Sequence, residues 1–333
     1  MFISRAPFRL SFYGGGLDYP QWYKKNPSKI ICASIDKYCY LMIRKLPPFF
    51  DHKIRISYSK IELCNNVDEI NHPSVREALK YFKIKDGIEI SHIGDLPARS
   101  GVGSSSSFTV ALVNGLAKIN KIDIGKNNVA NIAIDIEQNL IKENVGIQDQ
   151  FAAAIGGIIL INANNKQISY ENLEFSDSYK SYLESNLLIG FSGRSRFSSL
   201  KATKIVEIIS NNEKEELMNR LMQLSNQGVE AMIIEKDVNF HAKLTKKIRD
   251  IKMELNGDIN DSFLQNIIVR TESAGSLCTR FLGAGGGGFF LCWAPKNSHN
   301  RIKESVSMKT WLNVKFSFDG CSVLSSDYPE HVF

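Results

Sequence analysis

The sequence predicts an α+β protein in two lobes, and three observations point that way. Runs rich in β-branched and aromatic residues fill the first part of the chain. Long stretches with helical spacing of apolar residues dominate the second part. Two glycine-rich bends, one in each part, join helix to strand. With 333 residues the chain has enough material for two domains, each with a buried core.

In order, strands are expected at 2–12, 29–45, 53–59 and 87–93, where such residues cluster and in places alternate with polar ones. A short helix at 74–82 follows Pro73, a residue suited to a first helical turn. Helices are expected at 105–120 and 127–142, then a Gly-Gly turn and a strand at 157–161. The polar stretch 162–180 marks the boundary, giving domains over 1–165 and 166–333. The second domain opens with a strand at 185–191 and a polar turn at 192–199. Helices at 199–210, 213–236, 240–252 and 259–274 come next. The cluster Gly283 to Gly288 feeds a strand at 289–293, and a last helix and a strand within 314–324 complete the domain.

The composition excludes several classes. A hydrophobic share of 43% with 23% charged residues suits a globular protein of enzyme size. The net charge of +6 is spread along the chain, so it describes a basic cleft for an anionic metabolite rather than a nucleic-acid surface. The six cysteines form no CxxC pair and the six histidines show no metal-ligand spacing, so the cysteines are read as core fillers of a reducing compartment. No secretion signal and no apolar run of membrane-spanning length are visible. The expectation is a cytoplasmic protein, monomer or homodimer, with a small-molecule substrate, no nucleic acid and no membrane.

The stretch from Asp95 to Phe108 is the most informative. Two glycines and a run of serines lead directly into an apolar helix, where unpaired backbone N–H groups and the helix dipole favour an anion. Gly101 and Gly103 allow close approach, and Ser104 to Ser107 add donors without bulk. A Walker loop is excluded because no lysine occurs between Asp95 and Ala117. A dinucleotide fingerprint would need glycine where Ser106 stands. The plainer alternative is a serine cap on an ordinary buried helix.

Three further segments carry chemistry. A strand ends in Gly14, Gly15 and Gly16 and then presents Asp18, a carboxylate beside bare backbone that suits sugar hydroxyls or, more simply, a tight turn facing water. Glu137 falls inside the apolar stripe Val129, Ile132, Ala133, Ile136 and Leu140, where a carboxylate needs a metal or a cationic partner. Asp149 opens a run of small residues, as a proton acceptor or as an N-cap. Four consecutive glycines, Gly285 to Gly288, let backbone pass close to a ligand or form a flexible hairpin.

Together these segments resemble the GHMP kinases. Ala6 to Tyr19 looks like the family's first motif, Leu96 to Ser106 like its second, and Leu282 to Phe290 like its third. The resemblance implies an N-terminal mixed α/β lobe, a ferredoxin-like C-terminal lobe, and a site between them that uses ATP and Mg²⁺. It implies ATP binding by Pro97, Arg99, Ser100, Gly101, Val102, Gly103, Ser104, Ser105 and Ser106, and magnesium held by Ser105 and Glu137. Asp149 would be the catalytic base and Arg9 the group that stabilises it. Gly14, Gly15, Gly16, Asp18, Tyr19, Gly285 and Gly286 would contact the sugar.

The run Phe12 to Pro20, with Val145 to Gln150, looks like the branch of the family that includes the D-glycero-D-manno-heptose 7-phosphate 1-kinases. Leu17 departs from that branch's usual threonine. Galactokinases carry Gly-Glu-His where this chain has Gly14, Gly15 and Gly16. Arg194 and Arg196, at a serine-rich turn, are the candidates for a distal phosphate, or else a solvated basic turn. The expected reaction is phosphorylation of an anomeric hydroxyl. A hexose, a uronic acid or an isoprenoid alcohol are alternative substrates, and a non-catalytic sugar-sensing regulator is the alternative outside enzymes.

Overall fold

The protein, seen as a computed structural model, is described over residues 1–85, 87–194, 198–308 and 310–324. Its first sheet grows from two long strands, Phe2–Tyr13 and Ser28–Lys45, paired antiparallel. The second is long enough to serve two neighbours. Its first half pairs with Ile158–Ala163, and its second half with Ile88–Gly94. Ile54–Ser57 runs parallel to Ile88–Gly94 and is edged by Ile61–Cys64. Ile168–Asn172 extends the other side, and Ser322–Leu324 closes onto Phe2–Tyr13.

Helices Ser104–Ile119 and Gln148–Ile155 cover the two long strands. Gly115 lets the first of them lie close, because a methyl group there would overlap the side chain of Ile43. Phe8, Leu10, Val110, Leu112 and Phe151 are fully buried between these layers.

The second sheet is four-stranded and antiparallel, in the order Trp311–Asn313, Leu187–Phe191, Phe289–Trp293, Cys278–Phe281. Helices Ser198–Ser210, Glu215–Ile233, Val238–Asn256, Ser262–Ser273 and His299–Ser305 accompany it. The architecture is mixed α/β in two lobes, as the sequence predicts.

The lobes meet through aromatic and polar contacts. Gly228 accepts the ring of Tyr13 where a methyl group would overlap it. The Tyr13 hydroxyl lies 2.7 Å from Nδ1 of His241, and the Tyr179 hydroxyl lies 3.0 Å from its Nε2. His241 is fully buried and stacks on Trp293 with ring centroids 5.6 Å apart. Burial pushes its pKa down to about 4.

The structure differs from expectation in identifiable places. Ile168–Asn172 and Ser322–Leu324 belong to the first sheet although they lie beyond residue 165, because edge pairing follows space rather than chain order. The polar boundary stretch contains the helix Asp177–Ser185, started by Ser176, whose Oγ accepts from the Tyr179 amide at 3.2 Å. The helix expected at 127–142 is an α-helix at Gly125–Asp135 followed by a π-turn at Ile136–Leu140. The six cysteines are all buried and free. Among the described residues no helix is long and apolar enough to cross a membrane.

Candidate active site

The serine loop folds as a chain that must turn left-handed repeatedly. Arg99, Gly101 and Gly103 have φ of 59°, 93° and 79°, and two of the three are glycine. Arg99 is the exception, a residue held in a conformation that disfavours a side chain. Helix Ser104–Ile119 then begins with no side chain capping it. Its first-turn N–H groups therefore face the cleft as an anion-binding end. Arg99, Gly101, Gly103, Ser104, Ser105 and Ser106 line the cleft. Pro97, Ser100 and Val102 support it from behind: Ser100 Oγ donates to the Pro97 carbonyl at 2.6 Å, and the Val102 carbonyl accepts from the Arg9 amide at 3.0 Å.

Below the loop sits a two-pronged ion pair. Arg9 Nε donates to Asp149 Oδ1 at 2.7 Å and Arg9 Nη2 donates to Oδ2 at 2.8 Å. Arg9 Nη1 donates to the Gly101 carbonyl at 2.7 Å, tying this pair to the loop. The Arg9 side chain is 6% exposed and that of Asp149 26%, so the carboxylate is the member that reaches the cleft. A Cβ on Gly103 would stand 3.2 Å from Asp149 Oδ2 and from Arg9 Cγ, so the bare glycine sets how closely the loop approaches. Asp149 is the second residue of helix Gln148–Ile155, and Arg9 is mid-strand in Phe2–Tyr13. Both come from rigid elements.

The glycine turn after the first strand lies on the same cleft. Gly15, Gly16, Asp18 and Tyr19 line it, while Gly14, at φ 80°, packs against the backbone of Lys29 and Ile30. Asp18 is nearly buried. Its Oδ1 accepts from the Gly16 amide at 2.9 Å and its Oδ2 from the Gln148 amide at 3.4 Å. Burial first, then the neighbouring Asp149, raise its pKa. In this arrangement Asp18 braces the turn against the helix that carries Asp149. Gly146 makes room for it, since a methyl group there would overlap the Asp18 carboxylate.

Glu137 occupies the π-turn, a local widening common at functional sites. It is buried, accepts from Ser106 Oγ at 2.9 Å and from the Gln150 side-chain amide, and leaves Oε1 without a partner. Burial raises its pKa to about 7. The hydroxyl bonded to Glu137 is that of Ser106. Ser105 is exposed on the cleft side of the same helical turn. One buried carboxylate with a spare oxygen, bonded to the Ser106 hydroxyl behind the cleft-lining serines, is a donor set that suits magnesium completed by phosphate oxygens.

The third glycine segment joins the lobes at the loop. The Phe289 amide donates to the Ser100 carbonyl at 2.8 Å, and the Gly288 amide donates to the Arg194 carbonyl at 2.8 Å. Gly283 and Ala284 line the main cleft. Gly285 and Gly286 instead line a small side cavity beside Asp258. Gly286 packs on Lys201, which is ion-paired to Asp258. Arg194 Nη1 pairs with Asp261 at 2.7 Å, its guanidinium lies over the Phe263 ring, and it is absent from the cleft wall. Arg196 lies outside the described residues.

Sequence reasoning missed two cations. Lys252 and Arg280 both line the cleft on the side of the second lobe. Half-buried Lys252 makes no hydrogen bond or ion pair among the described residues, and its Nζ stands 3.2 Å from where a Cβ on Gly15 would lie. Burial, reinforced by Arg280 and opposed by Asp18, pulls its pKa down to about 7. Arg280 is 6% exposed, donates through Nη2 to the Ser11 carbonyl, and leaves Nε without a partner. A signal for Lys252 was present. It lies in line with His241, Thr245, Ile248 and Leu255 on helix Val238–Asn256, a charge inside an apolar stripe just as Glu137 is.

The cleft enclosed by these groups has a volume of about 1090 Å³. At its far end, His72 stacks on Phe108 with centroids 4.7 Å apart, and the Tyr58 ring meets His72 edge-on at 5.0 Å. The cleft is large enough for two small molecules.

This combination defines a two-lobed protein with an uncapped helix end beside an arginine-paired carboxylate. Residues 73–157 match the GHMP kinases N terminal domain. It is 23% identical over 311 residues to a D-glycero-alpha-D-manno-heptose 7-phosphate kinase of Campylobacter jejuni, covering 90% of this chain and 91% of that one. It is 25% identical over 327 residues to a bifunctional fucokinase/GDP-fucose pyrophosphorylase of Arabidopsis thaliana, covering 90% of this chain but 31% of that longer protein. The fold superposes on a D-glycero-D-manno-heptose 1-phosphate kinase of Bacteroides thetaiotaomicron with a TM-score of 0.78, 19% identity, and coverage of 98% and 99% of the two chains.

Proposed function

We propose that the protein phosphorylates the anomeric hydroxyl of a sugar at the expense of ATP, with D-glycero-D-manno-heptose 7-phosphate as the substrate. The observation that carries this reading is the placement of Asp149, paired to Arg9 and separated from the uncapped helix end only by Gly103. A hydroxyl bound beside Asp149 has a proton acceptor on one side and an anion cradle on the other. The similarity to the Campylobacter heptose 7-phosphate kinase supports the choice of substrate.

Bound ATP with Mg²⁺ supplies the transferable phosphoryl group and the countercharge it needs. The residues of the chain divide the remaining work. The N–H groups at the start of Ser104–Ile119 hold phosphate oxygens through the helix end. Glu137, with the Ser105 and Ser106 hydroxyls, would hold the magnesium, Oε1 having no hydrogen-bond partner of its own. The wall of Tyr58, His72 and Phe108 offers ring faces to a purine.

Asp149 takes the proton from the sugar hydroxyl, and Arg9 holds that carboxylate turned to the cleft through two hydrogen bonds. Asp18 holds the Gly16 turn on which the sugar rests. The protein acts in the cytoplasm on a soluble metabolite.

The test is ATP consumption over a panel of heptose 7-phosphate, free heptose, mannose, galactose, fucose, glucuronate and mevalonate. Product analysis by phosphorus NMR identifies the phosphorylated oxygen. Turnover with heptose 7-phosphate, forming an anomeric phosphate, is expected. Turnover with mevalonate alone, or ATP binding with no turnover on any acceptor, would remove the sugar-kinase reading.

A further inference from the structure

A sugar needs only hydrogen bonds, yet the second-lobe wall of this cleft is cationic. Arg280 is buried with an unpartnered Nε, and Lys252 beside it has no anion of its own among the described residues. Two neighbouring cations in a half-dry wall, offset in part by the Asp18 carboxylate, are unfavourable without a ligand, because each gives up hydration and repels the other. The nearby acids are each also held by other groups. Asp18 accepts from the backbone amides of Gly16 and Gln148, Asp149 is held by Arg9, and Asp258 is paired to Lys201.

The position matters as much as the charge. Three polar groups converge on the bare backbone of Gly15: Lys252 Nζ, Ser11 Oγ and Gln148 Oε1 lie 3.2, 2.8 and 3.8 Å from where its Cβ would be. Gln148 in turn donates to Asp149 Oδ1 at 3.3 Å. Lys252 therefore stands beside the Gly15 turn and Arg280 beside Ser11, on the turn that Gln148 links to Asp149. An acceptor with its anomeric hydroxyl at Asp149 would point its far end at them.

We propose that Lys252 and Arg280 form the subsite for a negatively charged tail on the acceptor, a phosphate monoester at the sugar's distal carbon. This rests on the sugar-kinase reading above and moves the tail from the Arg194 turn to the wall of helix Val238–Asn256. Arg194 is satisfied by Asp261 and Phe263, whereas Arg280 keeps one unpartnered nitrogen, Nε, and both it and Lys252 line the cleft. A phosphate dianion matches one fork-shaped guanidinium and one ammonium. The lowered pKa of Lys252 agrees with a site whose countercharge arrives with the ligand.

The experiment compares heptose 7-phosphate with free heptose as acceptors for the wild-type protein and for Lys252→Met, Lys252→Arg, Arg280→Gln and Arg194→Ala. The wild type should favour the phosphorylated acceptor in kcat/KM. Lys252→Met and Arg280→Gln should each reduce that preference about ten- to hundredfold, mainly by raising KM for heptose 7-phosphate. Lys252→Arg should restore most of it. Circular dichroism melting identifies a variant that fails to fold, and Lys252→Met alone then decides.

Three results overturn the subsite. The wild type could use both acceptors equally, Lys252→Met could lower kcat for both alike, or Arg194→Ala could be the variant that abolishes the preference. All three leave the sugar-kinase reading standing. The absence of turnover with any sugar ends both.

Discussion

Replacing Asp149 with asparagine separates chemistry from architecture. In the native site each carboxylate oxygen accepts one Arg9 N–H, at 2.7 and 2.8 Å, and Oδ1 also accepts from the Gln148 side-chain Nε2. Asparagine keeps the shape but turns one acceptor into an NH₂ group, which meets an Arg9 donor head-on. One charge-assisted bond is lost, and Arg9 retains its bond to the Gly101 carbonyl. Such a bond contributes about 1.5–3 kcal/mol in a dry setting. Because Asp149 is about a quarter exposed, the expected loss of stability is nearer 1–2 kcal/mol.

The effect on turnover should be larger. Removing a general base lowers rate by about 10²–10⁴, or roughly 3–5 kcal/mol of barrier. The assay is ADP release at saturating ATP and acceptor, with nucleotide affinity measured by calorimetry and stability by urea titration. Turnover down by two decades or more, with ATP binding within threefold of wild type, is expected. Turnover within tenfold of wild type would refute the role given to Asp149.

Other outcomes are equally direct. Glu137→Gln should weaken the apparent magnesium affinity about ten- to hundredfold in an activity titration, as expected for the loss of a carboxylate ligand; an unchanged titration takes Glu137 out of the metal site. Gly146→Ala pushes a methyl group into the Asp18 carboxylate and should destabilise the protein by about 1–3 kcal/mol with raised acceptor KM, read by urea melts and kinetics. His241 has a folded pKa of about 4 against 6.5 unfolded, so the unfolded chain binds the extra proton first as pH falls. Its contribution is complete above pH 6.5 and lost down to about pH 4, a change of about 3 kcal/mol, and His241→Gln should flatten that part of the stability–pH curve.

Much of the site was legible because its chemistry is written in short local patterns. Gly101 and Gly103 were legible as places of close approach, and the structure gives both a positive φ that a side chain would disfavour. Glu137 stood out as a charge in an apolar stripe, and the structure buries it with one oxygen unsatisfied. The same reasoning, applied to Lys252, would have found the second cationic centre. Arg280 gave no comparable signal, since its four-residue strand is too short for alternation to show which way a side chain points. Which serine meets Glu137 was also hidden. Neighbouring hydroxyls differ by about 100° around a helix, and the π-turn shifts Glu137 relative to a regular spiral. The edge strands Ile168–Asn172 and Ser322–Leu324 are fixed by partners far away in sequence, which no local pattern reports.

The return of Ser322–Leu324 to the edge of Phe2–Tyr13 has a mechanical consequence. The polypeptide crosses from one lobe to the other near residue 180 and crosses back after residue 313, so the halves are joined like a door hung on two pins. Rocking is confined to the axis through those crossings, and a wide gape would have to tear a strand from its sheet. The hydrogen bond from Phe289 to Ser100 is a further fastening between the halves, at the serine loop itself.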